Sequence, residues 1–356
     1  MSKNSDLTII LTLKDRISFT YRWMDYMNAL KCPYKILIAD GGEDKSIEEN
    51  LKNSSNYPSL DYNYIRYPYD AKIEDYYLKF ENVISLVKTK YMLLADNDDF
   101  YLLDHMEQML AFLDTHDDFV GCRGQFANLS LFSKSGKVNG INRGDRYLAI
   151  ANEVHSIESE SPYDRVDILC RDTSYDYYIN WYCIYRSKQF QEVWNFLITL
   201  PIKEVMVTEE LTLIFMVYRG KIKIFNDLFY IRQSNTSMSG ATLIVGNEFL
   251  ERCIINNALS DFRLAVDKYL VYENKEQKEC IMKAIAAWLE ITIIKIYLGR
   301  HRRNRSQIFR LKEKIKPFTL FSPYLLRVYY WITNRFFKIR KRWLVDLKVI
   351  EPFILK

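Results

Sequence analysis

Tyr91-Met92-Leu93-Leu94-Ala95-Asp96-Asn97-Asp98-Asp99-Phe100 is the stretch whose reading decides the fold of this chain. A short apolar run ends abruptly in three carboxylates within four positions. A bounded apolar run of this length suits a buried parallel strand. Carboxylates crowded at its end repel one another and are relieved when a cation sits between them; Mg²⁺ or Mn²⁺ matches oxygen donors. In open α/β sheets, ligands bind at the carboxyl ends of the strands. The competing reading is a solvated acidic turn that caps a helix starting near Tyr101.

Working outward, residues 7–13 (Leu-Thr-Ile-Ile-Leu-Thr-Leu) read as a buried first strand ending in Lys14-Asp15-Arg16. The apolar spacing from Phe19 to Leu30 predicts an amphipathic helix. Residues 34–39 predict a second strand, ending in Asp40-Gly41-Gly42-Glu43-Asp44. Asn63 to Tyr67 reads as a short third strand, and a helix is predicted from about Ile73 to Lys88. Strands alternating with helices predict a doubly wound, mostly parallel α/β sheet flanked by helices. Residues 101–118 read as helical. From 119 to 185 the pattern loosens into short strands and loops, with turns at Ser133 to Gly136 and Asn139-Gly140. Glu210 to Arg219 predicts a helix with Gly220 as its C-cap, followed by a strand from Lys221 to Phe225. Beyond Asn247 helical periodicity dominates.

The chain has 356 residues, enough to bury a sizeable core, and its apolar and charged fractions exclude disorder. It lacks the roughly 18 unbroken apolar residues of a membrane span, and Met1 to Asp6 lacks a signal pattern. Its six cysteines show no metal-type spacing and read as reduced thiols of a cytoplasmic protein. The four histidines form no ligand set, and glycine fingerprints of Walker or dinucleotide type are missing.

Three strand-end clusters, Lys14-Asp15-Arg16, Asp40-Gly41-Gly42 and Asp96-Asn97-Asp98-Asp99, can converge on one edge of such a sheet. Individually, Asp15 and Asp40 also fit turn or helix N-cap roles. Together, in this order, the clusters resemble the nucleotide-binding half of family 2 inverting glycosyltransferases, which have the GT-A fold and a D-x-D-D motif. The resemblance extends over residues 7–240. Thr208-Glu209-Glu210-Leu211 followed by Tyr218-Arg219-Gly220-Lys221-Ile222 looks like that family's E-D motif ahead of a helix and a G-x-K-I strand. Phe229-Tyr230-Ile231-Arg232-Gln233-Ser234-Asn235-Thr236-Ser237 looks like its arginine segment.

The resemblance implies a GT-A-like domain over 1–245, with its nucleotide-binding part at about 1–120 and its acceptor part at about 121–245. The helical, basic-aromatic region 246–356 follows. It implies transfer of a sugar, with inversion, from a nucleoside-diphosphate sugar (a UDP-sugar first) to a glycan or lipid-linked glycan acceptor, as in bacterial surface-glycan synthesis. Such a displacement needs a carboxylate to take the acceptor's proton. A divalent cation and a nearby cation on the protein stabilise the leaving diphosphate. Carried over by position, Asp96, Asp98 and the alternate ligand Asp99 would bind Mn²⁺ or Mg²⁺, and Asp96 would also hold ribose. Lys14, Asp15, Arg16 and Asp40 would hold base and ribose, and Arg232 the pyrophosphate. The general base is Glu209 or Glu210: spacing from Gly220 favours Glu209, the dipeptide register favours Glu210, and we lean to Glu209. The chain departs from the family in reading Glu-Glu for Glu-Asp and in lacking the Arg-Asn pair before the D-x-D strand. Lys79 and Asn82 lie there without an assigned role.

Residues 300–356 hold sixteen Lys or Arg against three Asp or Glu, about +13, so against an overall +5 the rest of the chain is about −8. Arg300 to Arg305, Tyr329-Tyr330-Trp331, Arg335-Phe336-Phe337 and Arg340 to Trp343 interleave cations with aromatics. That pattern fits an anionic membrane surface, and hence a peripheral location at the inner face of the cytoplasmic membrane. A helical appendage or oligomer contact is the alternative; nucleic acid is not expected, because no binding motif accompanies the charge. Two other functions stay open: transfer of a polyol or sugar phosphate from a nucleotide donor, and a non-catalytic, membrane-associated role in glycan assembly.

Overall fold

The computed structural model describes residues 6–133, 144–150, 154–171, 180–202, 204–234, 258–286, 350 and 352–353. The turns expected at 134–136 and 139–140, the end of the arginine segment at 235–237 and nearly all of the basic tail lie outside the described residues.

The chain is mixed α/β. Its first half alternates as expected: β1 (Leu7–Leu13), α1 (Ile17–Ala29), β2 (Lys35–Asp40), α2 (Ser46–Lys52), β3 (Asp61–Arg66), α3 (Ile73–Ser85) and β4 (Tyr91–Ala95). Next come β5 (Phe100–Tyr101), α4 (Met106–Thr115), β6 (Phe119–Ser133), β7 (Gly144–Ile150), α5 (Pro162–Arg171), β8 (Ile184–Arg186) and α6 (Ser187–Leu197). The series ends with α7 (Val205–Arg219), β9 (Lys221–Ser234) and α8 (Ala258–Tyr269). Residues 275–286 are also helical.

One nine-stranded sheet runs β3-β2-β1-β4-β8-β6-β9-β5, with β7 on β6. Strands β3, β2, β1 and β4 are parallel, and β4 and β6 pair with β8 antiparallel. Strands β1, β2 and β4 are almost wholly buried, because helices cover both faces of a parallel sheet. Parallel pairing of Leu11 with Ala95 and of Leu13 with Asp40 brings the ends of β1, β2 and β4 to one edge. The largest fully buried side chains include Trp23, Trp194, Tyr91, Tyr101, Tyr230 and Phe80.

The second half departs from its expected outline. Residues 119–133 form one 15-residue strand where short strands and loops were expected. Its register against β9 shifts between Phe119 and Gly121 and twice more between Arg123 and Phe126. Bulges of this kind break the period-two alternation by which a strand is read. The strand expected at 221–225 continues to Ser234, carrying the arginine segment with it. Gly220 does close α7, but with extended backbone (φ −174°). A Cβ there would lie 2.4 Å from Val120 Cγ1, so close packing and not a left-handed cap requires glycine.

Candidate active site

The acidic cluster stands where β4 ends. Oxygens of Asp96, Asp98 and Asp99 lie within 4.8 Å of one another. Each carboxylate has a different setting. Asp98 pairs with the Arg16 guanidinium at 2.7 Å. Asp96 accepts from the Tyr182 hydroxyl at 2.5 Å. Asp99 is 2% exposed and each of its oxygens accepts from the protein: the Gln233 backbone N–H donates to Oδ1 at 2.7 Å and the Tyr230 hydroxyl donates to Oδ2. Asn97 turns away, donating to the Thr20 hydroxyl at 3.0 Å. Burial, then the neighbouring carboxylates, raises the pKa of Asp96 and takes Asp99 well above the usual range. Arg232 on β9 and Arg16 act the other way on Asp96, which places Arg232 beside the cluster.

Hard carboxylate donors this close could hold a divalent cation. Because both oxygens of Asp99 serve protein donors, Asp96 and Asp98 are the more accessible pair. The solvated-turn alternative does not describe the site: Asp98 is 6% and Asp99 2% exposed.

Beside the cluster, β1 ends in a strained turn. Asp15 (φ 59°) and Arg16 (φ 60°) both occupy the left-handed region, which is costly for a side chain as large as arginine. The turn aims Arg16 at Asp98. Arg22, one turn into α1, donates to the Asp98 carbonyl at 2.9 Å and to Gln233 Oε1 at 2.6 Å, and burial pushes its pKa down to about 10. Asp15 Oδ1 accepts from the Glu43 N–H at 2.7 Å, tying the β1 turn to the β2 turn. Asp40 accepts from the Gly42 N–H (2.8 Å), the Tyr64 hydroxyl (2.6 Å) and Arg66 (2.7 Å). A carboxylate offers about four lone-pair places, so one remains on Asp40. Lys14 reaches away from the acids, donating to the Asp70 carbonyl at 2.6 Å.

The Thr208-Glu209-Glu210 motif lies inside α7, not ahead of it, because the helix starts at Val205 with Glu204 at its N-cap. Neither glutamate caps the helix. Successive helical residues point about 100° apart, and the pair divides accordingly. Glu209 faces the cluster: burial and then Asp96 push its pKa up to about 8. Glu210, raised to about 8 by burial and then by Glu209, turns toward Cys170 on α5, whose thiol it perturbs. Tyr76 on α3 is under the influence of both acidic groups. It bonds to the Thr12 side chain, and after burial its pKa is raised most by Asp96 and Glu209. Tyr77 shares a 2.7 Å hydrogen bond with Thr208, docking α3 on α7.

Arg16, Asp96, Asp98, Asp99, Glu209 and Arg232 therefore gather at one place. Asp15 and Asp40 form an adjoining group, and Lys14 and Glu210 point elsewhere. Sequence reasoning did not single out Arg22, Arg66, Tyr76, Tyr182, Tyr230 or Gln233 as site residues. Arg66, itself a strand-end residue, and Tyr230, inside the arginine segment, carried a usable signal. Tyr182 meets an acid 86 positions away and carried none.

This architecture is that of a GT-A-like glycosyltransferase fold. The chain is similar to S. aureus TarS 1–349 in complex with UDP-GlcNAc, at 13% identity and a TM-score of 0.51, over 89% of this chain and 78% of that one. A second crystal structure of S. aureus TarS 1–349 aligns at 13% identity, TM-score 0.44, over 85% of this chain and 93% of that one. At these identities the similarity concerns fold alone. No protein-family profile matches the chain, and no curated protein sequence matches it. Among the described residues no helix is long and apolar enough to cross a membrane.

Proposed function

We propose that the chain is an inverting glycosyltransferase that moves a sugar from a nucleoside-diphosphate sugar to an acceptor hydroxyl. What supports this reading is that Asp96 of the β4 acidic cluster interacts electrostatically with both Glu209, a carboxylate raised to about 8, and Arg232. TarS was crystallised with UDP-GlcNAc, so a UDP-sugar is the first donor class to test.

Asp96 and Asp98 would hold Mn²⁺ or Mg²⁺, which when bound offsets charge on the donor's diphosphate. The protein's own groups do the rest. The one acceptor place left on Asp40 takes an N–H of the base, while Tyr64 and Arg66 hold that carboxylate in position. Asp15 and the backbone of the β1 turn line the same end. Glu209 takes the proton of the acceptor hydroxyl as its oxygen bonds to the anomeric carbon; the bond from that carbon to the diphosphate oxygen breaks, and Arg232 stabilises the departing charge. A base with pKa near 8 is stronger than an ordinary glutamate, which favours this transfer. Direct displacement inverts the anomeric centre.

The acceptor reading, a surface glycan carried on lipid, and the membrane contact of residues 300–356 rest on the sequence alone. Incubation with UDP-sugars, Mn²⁺ and candidate glycan acceptors, with product mass and anomeric configuration measured, tests the reaction. An inverted glycoside is expected. A product that gains a phosphate group points to the polyol- or sugar-phosphate transferase, and a retained anomer rules out the single displacement.

A further inference from the structure

Beneath the Asp40 turn lies a buried ion pair that the transfer step does not use. Lys79 on α3 meets Asp70, in the loop between β3 and α3, and both side chains are 2% exposed. At that burial neither reaches a bound ligand directly.

The pair ties the ends of β1 and β2 to the start of α3. The Lys79 ammonium donates to the Leu13 carbonyl at the end of β1 (2.8 Å) as well as to Asp70. The same Leu13 carbonyl accepts the Gly41 N–H at 3.0 Å, and the Gly41 carbonyl accepts the Asp70 N–H at 2.9 Å. Lys14 donates to the Asp70 carbonyl at 2.6 Å, and the Asp40 carbonyl accepts the Tyr67 N–H at 2.7 Å. The Asp70 carboxylate itself lies against Gly41: a Cβ there would fall within 2.6 Å of the carboxylate carbon and both its oxygens. One residue further on, the Gly42 N–H holds Asp40 Oδ1 at 2.8 Å. The turn that the pair grips is therefore the turn that orients Asp40, and Asp40 is among the charges that act on Lys79.

Stability alone does not account for such a pair. Two charges taken out of water lose about as much as their attraction returns, and apolar residues of similar volume serve as well or better. Asp70 Oδ1 is moreover buried with no hydrogen-bond partner among the described residues, which adds to the cost. What apolar side chains cannot supply is direction. An ammonium that donates to both the Leu13 carbonyl and Asp70 fixes the end of β1 relative to the β2 turn through charge-assisted bonds of defined geometry.

We propose that Lys79 and Asp70 are positioning residues for the nucleobase of the donor, holding the Gly41 turn so that the free acceptor place on Asp40 meets the base. The proposal rests on the transferase reading. Titration calorimetry of the full chain with UDP, CDP, GDP and ADP, each with Mn²⁺, and with pyrophosphate and Mn²⁺, tests it. Asp70→Leu/Lys79→Met removes both charges together and so keeps the fold. It should bind the nucleoside diphosphate that wild type prefers about tenfold more weakly, the worth of one hydrogen bond to a charged group. Pyrophosphate, which has no base, should bind it as tightly as it binds wild type. Gly41→Ala, which pushes the carboxylate off the turn and keeps both charges, should show the same selective loss. Nucleotide binding unchanged in both variants, or nucleotide and pyrophosphate weakened alike, overturns the proposal and leaves the transferase reading standing. Failure of wild type to bind any of the four nucleotides overturns the transferase reading and the proposal with it.

Discussion

Glu209 and Glu210 are chemically identical neighbours that the fold separates. Burial raises both, but only Glu209 has Asp96 as its charged neighbour. If Glu209 is the base, Glu209→Gln should lower kcat by about 10²–10⁴-fold, while Glu210→Gln should leave kcat within a few-fold of wild type. Reversal of that order in steady-state assays would move the base to Glu210. Glu210 also makes a stability prediction. Its folded pKa is about 8 against an ordinary 4.5, so the folded state holds a proton that the unfolded chain releases. Stability therefore falls as pH rises from about 4.5 to 8, and the full penalty persists above that. Glu210→Gln removes the penalty, so its melting temperature relative to wild type should climb between pH 5 and pH 9; a pH-independent difference would contradict the assignment. Within the cluster, Tyr230 orients Asp99 and Tyr182 orients Asp96. Partners of this kind are worth about 10–100-fold in metal affinity, so Tyr182→Phe should weaken Mn²⁺ binding by that order in a calorimetric titration.

At the scale of elements, what was legible in the sequence depended on whether a local pattern survived. Strands β1, β2 and β4 are apolar runs ending in charge, and their buried parallel pairing gave each a signal a few residues long. Strand β6 has comparable pairing, but its three register shifts erased the alternation. The start of α7 was placed five residues late because the acidic pair resembles a helix start, although the turn before it, Val205 to Thr208, is already helical. The link between α3 and the strand-end turns was not legible at all. Lys79 and Asp70 form an ion pair with both side chains 2% exposed, and Lys79 also donates to the Leu13 carbonyl at 2.8 Å. Burial lowers the Lys79 pKa and raises that of Asp70. The pair sits directly under the β2 turn: a Cβ on Gly41 would fall 2.4 Å from Asp70 Oδ1. Lys79→Met strands a buried carboxylate and should cost about 3–5 kcal/mol. Asp70→Leu/Lys79→Met should recover most of that loss in denaturant titrations. Equal losses in the single and double variants would mean that the two groups act independently.

Taken whole, the molecule gathers a cluster of acids braced by Arg16, Arg22 and Arg232 at the carboxyl edge of β4. That cluster was visible in the sequence as strand ends in order. The basic tail, conspicuous in the sequence, lies almost wholly outside the described residues. The claim on which the account rests is that the acidic edge binds a nucleotide sugar through a divalent cation. Thermal denaturation of wild type and Asp98→Asn against nucleoside diphosphates and nucleotide sugars, each with Mn²⁺ or EDTA, tests it most directly. The account predicts stabilisation by ligands of one nucleobase, about 2.7 kcal/mol at a hundredfold excess over Kd, that disappears in EDTA and in Asp98→Asn. No stabilisation by any nucleotide, or the same stabilisation in EDTA and in Asp98→Asn, would contradict it.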